Sequence, residues 1–155
     1  MTPTNAVHTL ALAPDFGSAL GKGIGAIVLY AVVGLLLMII AFWMIDVTTP
    51  GPLTSLVRTG HPNAVTISAS GLVSMALIVV VAIVNSSSQL ADGLLDALIF
   101  GLVGIVAQAL AVRFLEWVGR IDMDVLLKSE KFTPLSVFIA AAQLALGGVV
   151  AVAIS

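Results

Sequence analysis

Four long apolar runs, separated by short polar segments, organise the chain. The first, Ile24 to Ile45, contains no charged residue. At the helical rise it reaches about 33 Å, against a hydrocarbon core of about 30 Å. The second, Ala64 to Val84, is also free of charge. The third runs from Leu94 to Val118, with Asp96 near one end and Arg113 and Glu116 near the other. Its uncharged centre, Ala97 to Val112, is short for a span. The fourth is Pro134 to Ile154. Lipid tolerates only helices and closed barrels, because no water is present to satisfy free backbone groups. These runs lack the in–out alternation of barrel strands. The pattern therefore predicts an all-α membrane protein with four transmembrane helices.

The polar segments carry a second pattern. Asn85 to Gly93 reads as a short turn. Asp46 to Asn63 and Gly119 to Thr133 are longer. Leu53, Leu56 and Val57 recur at helical spacing in the first, and Met123, Leu126 and Leu127 in the second. Each loop is thus expected to hold a short amphipathic helix lying in the membrane interface. When the chain is laid over itself so that Tyr30 falls on Phe100, Gly34 falls on Gly104, Ala41 on Ala111, Asp46 on Glu116 and Arg58 on Lys128. Identities are sparse, but spans, loops and charge signs fall into register together. The expectation is two parallel two-helix repeats, 21–90 and 91–155, preceded by an external arm at 1–20. Five of the six Lys and Arg residues lie in or beside the two long loops, and only Lys22 lies at the other end. The positive-inside rule then puts those loops in the cytoplasm and both termini outside.

Composition supports the lipid reading and narrows the function. Hydrophobic residues make up 60% and charged residues 9%, against about 25% charged in a soluble domain. With only 6 Lys and Arg and a net charge of −2, there is no basic patch for nucleic acid. The absence of cysteine removes disulfides, Cys-based zinc sites and a thiol nucleophile. His8 and His61 fall on opposite sides of the membrane and cannot share a metal in one subunit. Gly21-x-Gly23-x-Gly25 lacks the strand–turn–helix setting of a dinucleotide site. No cofactor is expected. No span carries a charged group at its centre, and no nucleophile–base pair is visible, so an enzyme is not expected. The N-terminus lacks a Lys/Arg-rich start and a long apolar core, so the first span is expected to serve as its own targeting signal.

A few polar and small residues remain as candidate sites. Asp46 and Glu116 end their spans at equivalent depth. They are either a carboxylate pair for a cation or basic partner, or two interfacial acids in contact with water. Arg113 and Glu116, three apart on one helix, can pair. Pro50 and Gly51 break the first helix. Asn63 is expected at the N-cap of the second span. Gln108 and Gln143 are costly in lipid and should face inward, either bonding another helix or lining a polar path. Gly34, Gly101 and Gly104 are small enough for close helix approach, within the chain or between two copies.

At Asp46 the sequence also resembles a known family. A span ending in Asp46, then Thr49-Pro50-Gly51, then Gly60 and Asn63-Ala64-Val65, resembles the membrane family called domain of unknown function 350, or YjfL-type. The resemblance runs from about Leu20 through all four spans. The second half departs from the pattern: Glu116 replaces the aspartate, Gly119-Arg120-Ile121 stands where Pro-Gly would be, and Thr133-Pro134-Leu135 replaces Asn-Ala-Val. What the resemblance implies is a bacterial plasma (inner) membrane protein without a defined activity. The expected partners are the lipid bilayer, a second copy of the chain (a dimer is favoured), or other membrane or cytoplasmic proteins. Two functions follow: a non-enzymatic module that anchors or recruits partners, or an oligomeric channel or carrier for ions or small cations.

Overall fold

The computed structural model describes residues 16–49, 53–87 and 89–155. Among these residues the chain is all helical, with six helices: α1 (Phe16–Thr48), α2 (Leu53–Arg58), α3 (Pro62–Val84), α4 (Leu90–Gly119), α5 (Met123–Lys128) and α6 (Pro134–Ala153). α1, α3, α4 and α6 are each long and apolar enough to cross a membrane. They are the four spans the apolar runs predict. The two short helices fall between spans, α2 between α1 and α3 and α5 between α4 and α6.

Helix limits differ from the sequence pattern at two places. α1 starts at Phe16, ahead of the first apolar run, so residues 16–20 are helical. Lys22, the only charge in its first turns, is long enough to reach water from near a helix end, so it does not stop the helix. α4 starts at Leu90, which takes Asp92 and Gly93 into the helix and out of the turn. Asp92 in the first turn suits the positive end of the helix dipole. The expectations for residues 1–15, and for Pro50 and Gly51, lie outside the described residues.

α3 is the hub. It packs on α1, α4 and α6, and also on α2 and α5, with its most extensive interface against α6. Half of its most apolar stretch is buried, compared with 11% in α1. α1 packs chiefly on α3 and α4, and most of its apolar stretch is exposed. The core has two parts. One, built from Leu37, Ala41, Met75, Ile78, Val79, Ile105 and Ala151, fills the bundle. The other lies at the end that carries α2 and α5, here called the loop face. It joins Leu53 of α2 and Met123, Leu126 and Leu127 of α5 to Ala64, Ile67 and Ile139. The apolar sides of both short helices are thus turned into the protein.

The opposite end is tied by small bonds. Tyr30 Oη lies 3.2 Å from Ser86 Oγ, and Asp96 Oδ2 accepts from the backbone N–H of Ser87 at 3.2 Å. A Cβ on Gly93 would meet Tyr30 Oη, so glycine is required where α4 begins.

Candidate functional site

Polar side chains from three helices meet in the middle of the bundle. Ser70 and Ser74 lie four apart on α3 and so share a face. Gln143 and Gly147 do the same on α6, and Gln108 comes from α4. Ser74 Oγ donates to the Gln143 carbonyl at 3.0 Å. Gln108 Nε2 donates to Ser74 Oγ at 2.8 Å and to the same carbonyl at 3.0 Å. Ser70 Oγ lies 2.7 Å from Gln143 Oε1 and 2.8 Å from the Ile67 carbonyl. All four polar side chains are buried. Of the two expectations for the glutamines, helix-to-helix bonding is the one the geometry displays. Gln108 Oε1 is left without a partner, as is Ser68 Oγ.

Gly147 makes this meeting possible. A Cβ there would collide with Ser74 Oγ and lie 2.9 Å from Ser74 Cβ and 3.1 Å from Ser74 Cα. The close approach of α3 and α6 therefore depends on a missing side chain. Sequence reasoning passed over Gly147. The usable signal was its position one helical turn from a glutamine within an apolar run.

The small residues that were expected to mediate close packing do so inside the chain. A Cβ on Gly101 would lie 2.6 Å from Leu37 Cδ1, and one on Gly104 would meet Ile78 Cγ2. Gly34 is looser, since a Cβ there would stand 3.6 Å from Ile83 Cδ1. It lines an apolar groove between α1 and α3.

A second polar cluster sits at the loop face, around Asn63. The N-cap of α3 is His61, with Pro62 in the first turn. Asn63 therefore lies inside the helix and does not cap it, contrary to the sequence expectation. The preceding Gly60, at φ 79°, turns the chain, and Pro62 is tolerated at the start of the helix, where its missing N–H costs nothing. That shift by two positions points the Asn63 side chain across the protein. Nδ2 donates to the carbonyls of Lys131 at 2.9 Å, Leu126 at 3.2 Å and Ser129 at 3.4 Å. Oδ1 accepts from the Thr133 N–H at 2.9 Å. One fully buried amide thus holds the chain segment between α5 and α6 against the start of α3.

Asp46 and Glu116 have different local tasks. Asp46 Oδ1 accepts from Thr54 Oγ1 at 2.8 Å and from the Thr54 N–H at 3.2 Å. An acid at the end of α1 thereby caps α2 from outside it. α5 has its own cap, since Asp122 accepts from the Val125 N–H at 3.2 Å. Glu116 has no such task and pairs with Arg113 at 2.8 Å, as the spacing predicts. The Glu116 side chain is 12% exposed and that of Arg113 49%. Asp46→Ala should cost about 1 kcal/mol through the lost cap. In a domain of this size that lowers the unfolding midpoint by about 2–4 °C. Arg113→Ala removes a half-exposed ion pair and should shift it by less. Thermal unfolding in detergent, followed by tryptophan fluorescence, would reverse this ranking if Asp46 did no capping.

Among the described residues no group of His, Asp and Glu is placed to hold a metal ion. The features that stand out are a mid-bundle network and a loop face locked by a single amide.

The comparisons with known proteins agree with this architecture. The family described as Domain of Unknown Function (DUF350) matches residues 19–154. A UPF0719 transmembrane protein of Mycolicibacterium paratuberculosis (strain ATCC BAA-968 / K-10) is 32% identical over 135 residues, which is 86% of this chain and 89% of the relative. UPF0719 transmembrane proteins of Mycobacterium bovis (strain ATCC BAA-935 / AF2122/97) and Mycobacterium tuberculosis (strain CDC 1551 / Oshkosh) are each 36% identical over 107 residues, covering 66% of this chain and 70% of theirs. No solved structure matches the chain. The family match spans all four apolar helices, and the chain belongs to the transmembrane family Domain of Unknown Function 350.

Proposed function

We propose that the chain is a non-enzymatic scaffold of the bacterial plasma membrane whose cytoplasmic face recruits a partner protein. The observation that carries this reading is the locked loop face. Asn63 fixes the α5–α6 segment to α3, and the apolar sides of α2 and α5 are anchored in a common core. Outward from that core the face offers Arg58 and Lys128, both exposed, with Lys128 on Asp124 at 2.7 Å. A rigid surface of mixed charge suits specific docking, because complementary charge selects a partner more than it adds raw affinity. The matching order of α1–α2–α3 and α4–α5–α6 supports a duplicated unit, in which each copy supplies one short helix to the face. Basic residues gathered at this end support its placement in the cytoplasm, with both termini outside. The exposure of α1 supports assembly as a homodimer within the bilayer.

The transport reading has less support. Most mid-bundle polar atoms bond to one another, so a path for ions would have to form between copies. Arg58→Glu combined with Lys128→Glu should abolish co-purification of a soluble partner from native membranes in mild detergent, while membrane insertion is unchanged. If the wild-type chain brings down no partner, or reconstituted protein conducts ions or small cations, the scaffold reading fails.

A further inference from the structure

Where α4 leaves the membrane at the loop face, an open cleft of ≈ 530 Å³ lies between its end and α5. Arg113, Glu116, Trp117 and Arg120 line it at the i, i+3, i+4, i+7 spacing of one helix face. Asp122 and Asp124 line it from the start of α5. Most of these charges are already matched. Arg113 pairs with Glu116 at 2.8 Å, and Lys128 with Asp124 at 2.7 Å. Asp122 Oδ1 accepts from the Val125 N–H, and its second oxygen has no donor among the described residues. Arg120 has no acceptor among them. A free guanidinium and a half-used carboxylate thus line one cleft without pairing with each other. Arg120 is also the one described non-glycine residue at positive φ, 49°, a position where glycine is the usual solution. The surroundings are those of a membrane interface. Trp117 is 75% exposed, and an exposed tryptophan at the end of a span belongs at headgroup level. Leu110, Phe114 and Val118 are exposed beside it and recur every four residues, so an apolar strip runs along α4 away from the cleft.

We propose that this cleft binds the headgroup of a phospholipid that carries both a phosphate and a primary ammonium group, the phosphate on Arg120 and the ammonium on Asp122. The acyl chains then lie along Leu110 and Phe114. A guanidinium suits a phosphate because its planar fork offers paired N–H donors. The acids decide the rest. A headgroup of net negative charge would sit beside Glu116, Asp122 and Asp124 and be repelled. A zwitterion matches both signs, and a primary ammonium can donate to a carboxylate where a quaternary one cannot. The apolar strip favours a lipid over a soluble phosphate ester, because only a lipid has chains to cover it. Neither Arg120 nor Asp122 is among the proposed docking charges, Arg58 and Lys128, so lipid binding and partner binding can be tested apart.

The chain has two tryptophans, Trp43 and Trp117, so Trp43→Phe leaves Trp117 as the single reporter at the cleft. Bromine-labelled acyl chains quench a tryptophan they touch. In phosphatidylcholine bilayers, brominated phosphatidylethanolamine should quench Trp117 with about fivefold higher apparent affinity than brominated phosphatidylcholine or phosphatidylglycerol, the size of one partly exposed charge contact. Arg120→Gly and Asp122→Asn, each in the Trp43→Phe background, should remove that preference. Both variants are chosen to fold: glycine relieves the positive φ, and asparagine caps a helix as well as aspartate. Their unfolding temperatures in phosphatidylcholine should therefore match or exceed that of the parent. The proposal is overturned if phosphatidylethanolamine and phosphatidylcholine quench the parent alike, or if either variant keeps the preference. It is equally overturned if phosphatidylglycerol quenches most strongly, since the site then selects anions. An equimolar amount of glycerophosphoethanolamine should leave the quenching in place; if it displaces the lipid, the ligand is a soluble phosphate ester and the proposal fails.

Discussion

Gly147→Ala is expected to destabilise the bundle by about 3 kcal/mol, although alanine is the better helix former. Overpacking a tight contact costs about 1–3 kcal/mol. Here the displaced atom cannot simply swing aside. Ser74 Oγ both donates to the Gln143 carbonyl and accepts from Gln108, and moving it strands buried groups at about 1–3 kcal/mol. Helix propensity returns about 1 kcal/mol. The neighbouring position supplies the control. A Cβ on Gly148 meets nothing within 4 Å, so Gly148→Ala should be neutral or stabilising. Equilibrium unfolding of the two variants in mixed micelles measures the difference. Equal effects would mean that α3 and α6 do not approach through Gly147.

The second large effect belongs to Asn63. Asn63→Ala should also cost about 3 kcal/mol, because it leaves the Thr133 N–H and the Lys131 carbonyl without their partner inside the protein. Asn63→Asp is the sharper test. At a helix N-cap, Asp and Asn serve about equally well. Here a carboxylate in place of the amide would keep the acceptor for Thr133 but turn its second oxygen toward three carbonyl oxygens. The Asp variant should therefore be at least as unstable as the Ala variant. A near-normal Asp variant would restore the capping role that the sequence suggests. Limited proteolysis within residues 129–133 offers a local readout, since loss of the brace should expose that segment before the spans separate.

This contrast shows where sequence reasoning reaches and where it stops. The four spans were legible because lipid imposes one strong rule, a long uncharged run, which three of the helices follow and α4 follows with a shorter uncharged centre, Ala97 to Val112. The short helices were legible from Leu53, Leu56 and Val57 and from Met123, Leu126 and Leu127, whose spacing is unambiguous. The i, i+3 pair of Arg113 and Glu116 was local and formed as expected. Asn63 was misplaced because Pro62 can start a helix, which moved the cap back to His61 and turned the asparagine inward. Its partners lie 63 to 70 residues away, and no local pattern reports them. Gly147 was missed for a similar reason, since its importance comes from Ser74 on another helix. Gln108 and Gln143 face inward, as their cost in lipid requires, but whether they bond or line a path depends on which helices they face, and that is not a local property.

The tie between Asn63 and Thr133 also has a consequence in time. The two residues are 70 positions apart, which at synthesis rates of about 5–20 residues per second separates them by roughly 4–14 s. During that interval α3 is already made, with Asn63, Ser70 and Ser74 facing partners that do not yet exist. Over that interval the polar groups of the first helical hairpin must find other partners, because those in the finished fold are not yet synthesised. The mature packing can form only once α6 is made, since Ser74 needs the gap at Gly147 and Asn63 needs the Thr133 N–H.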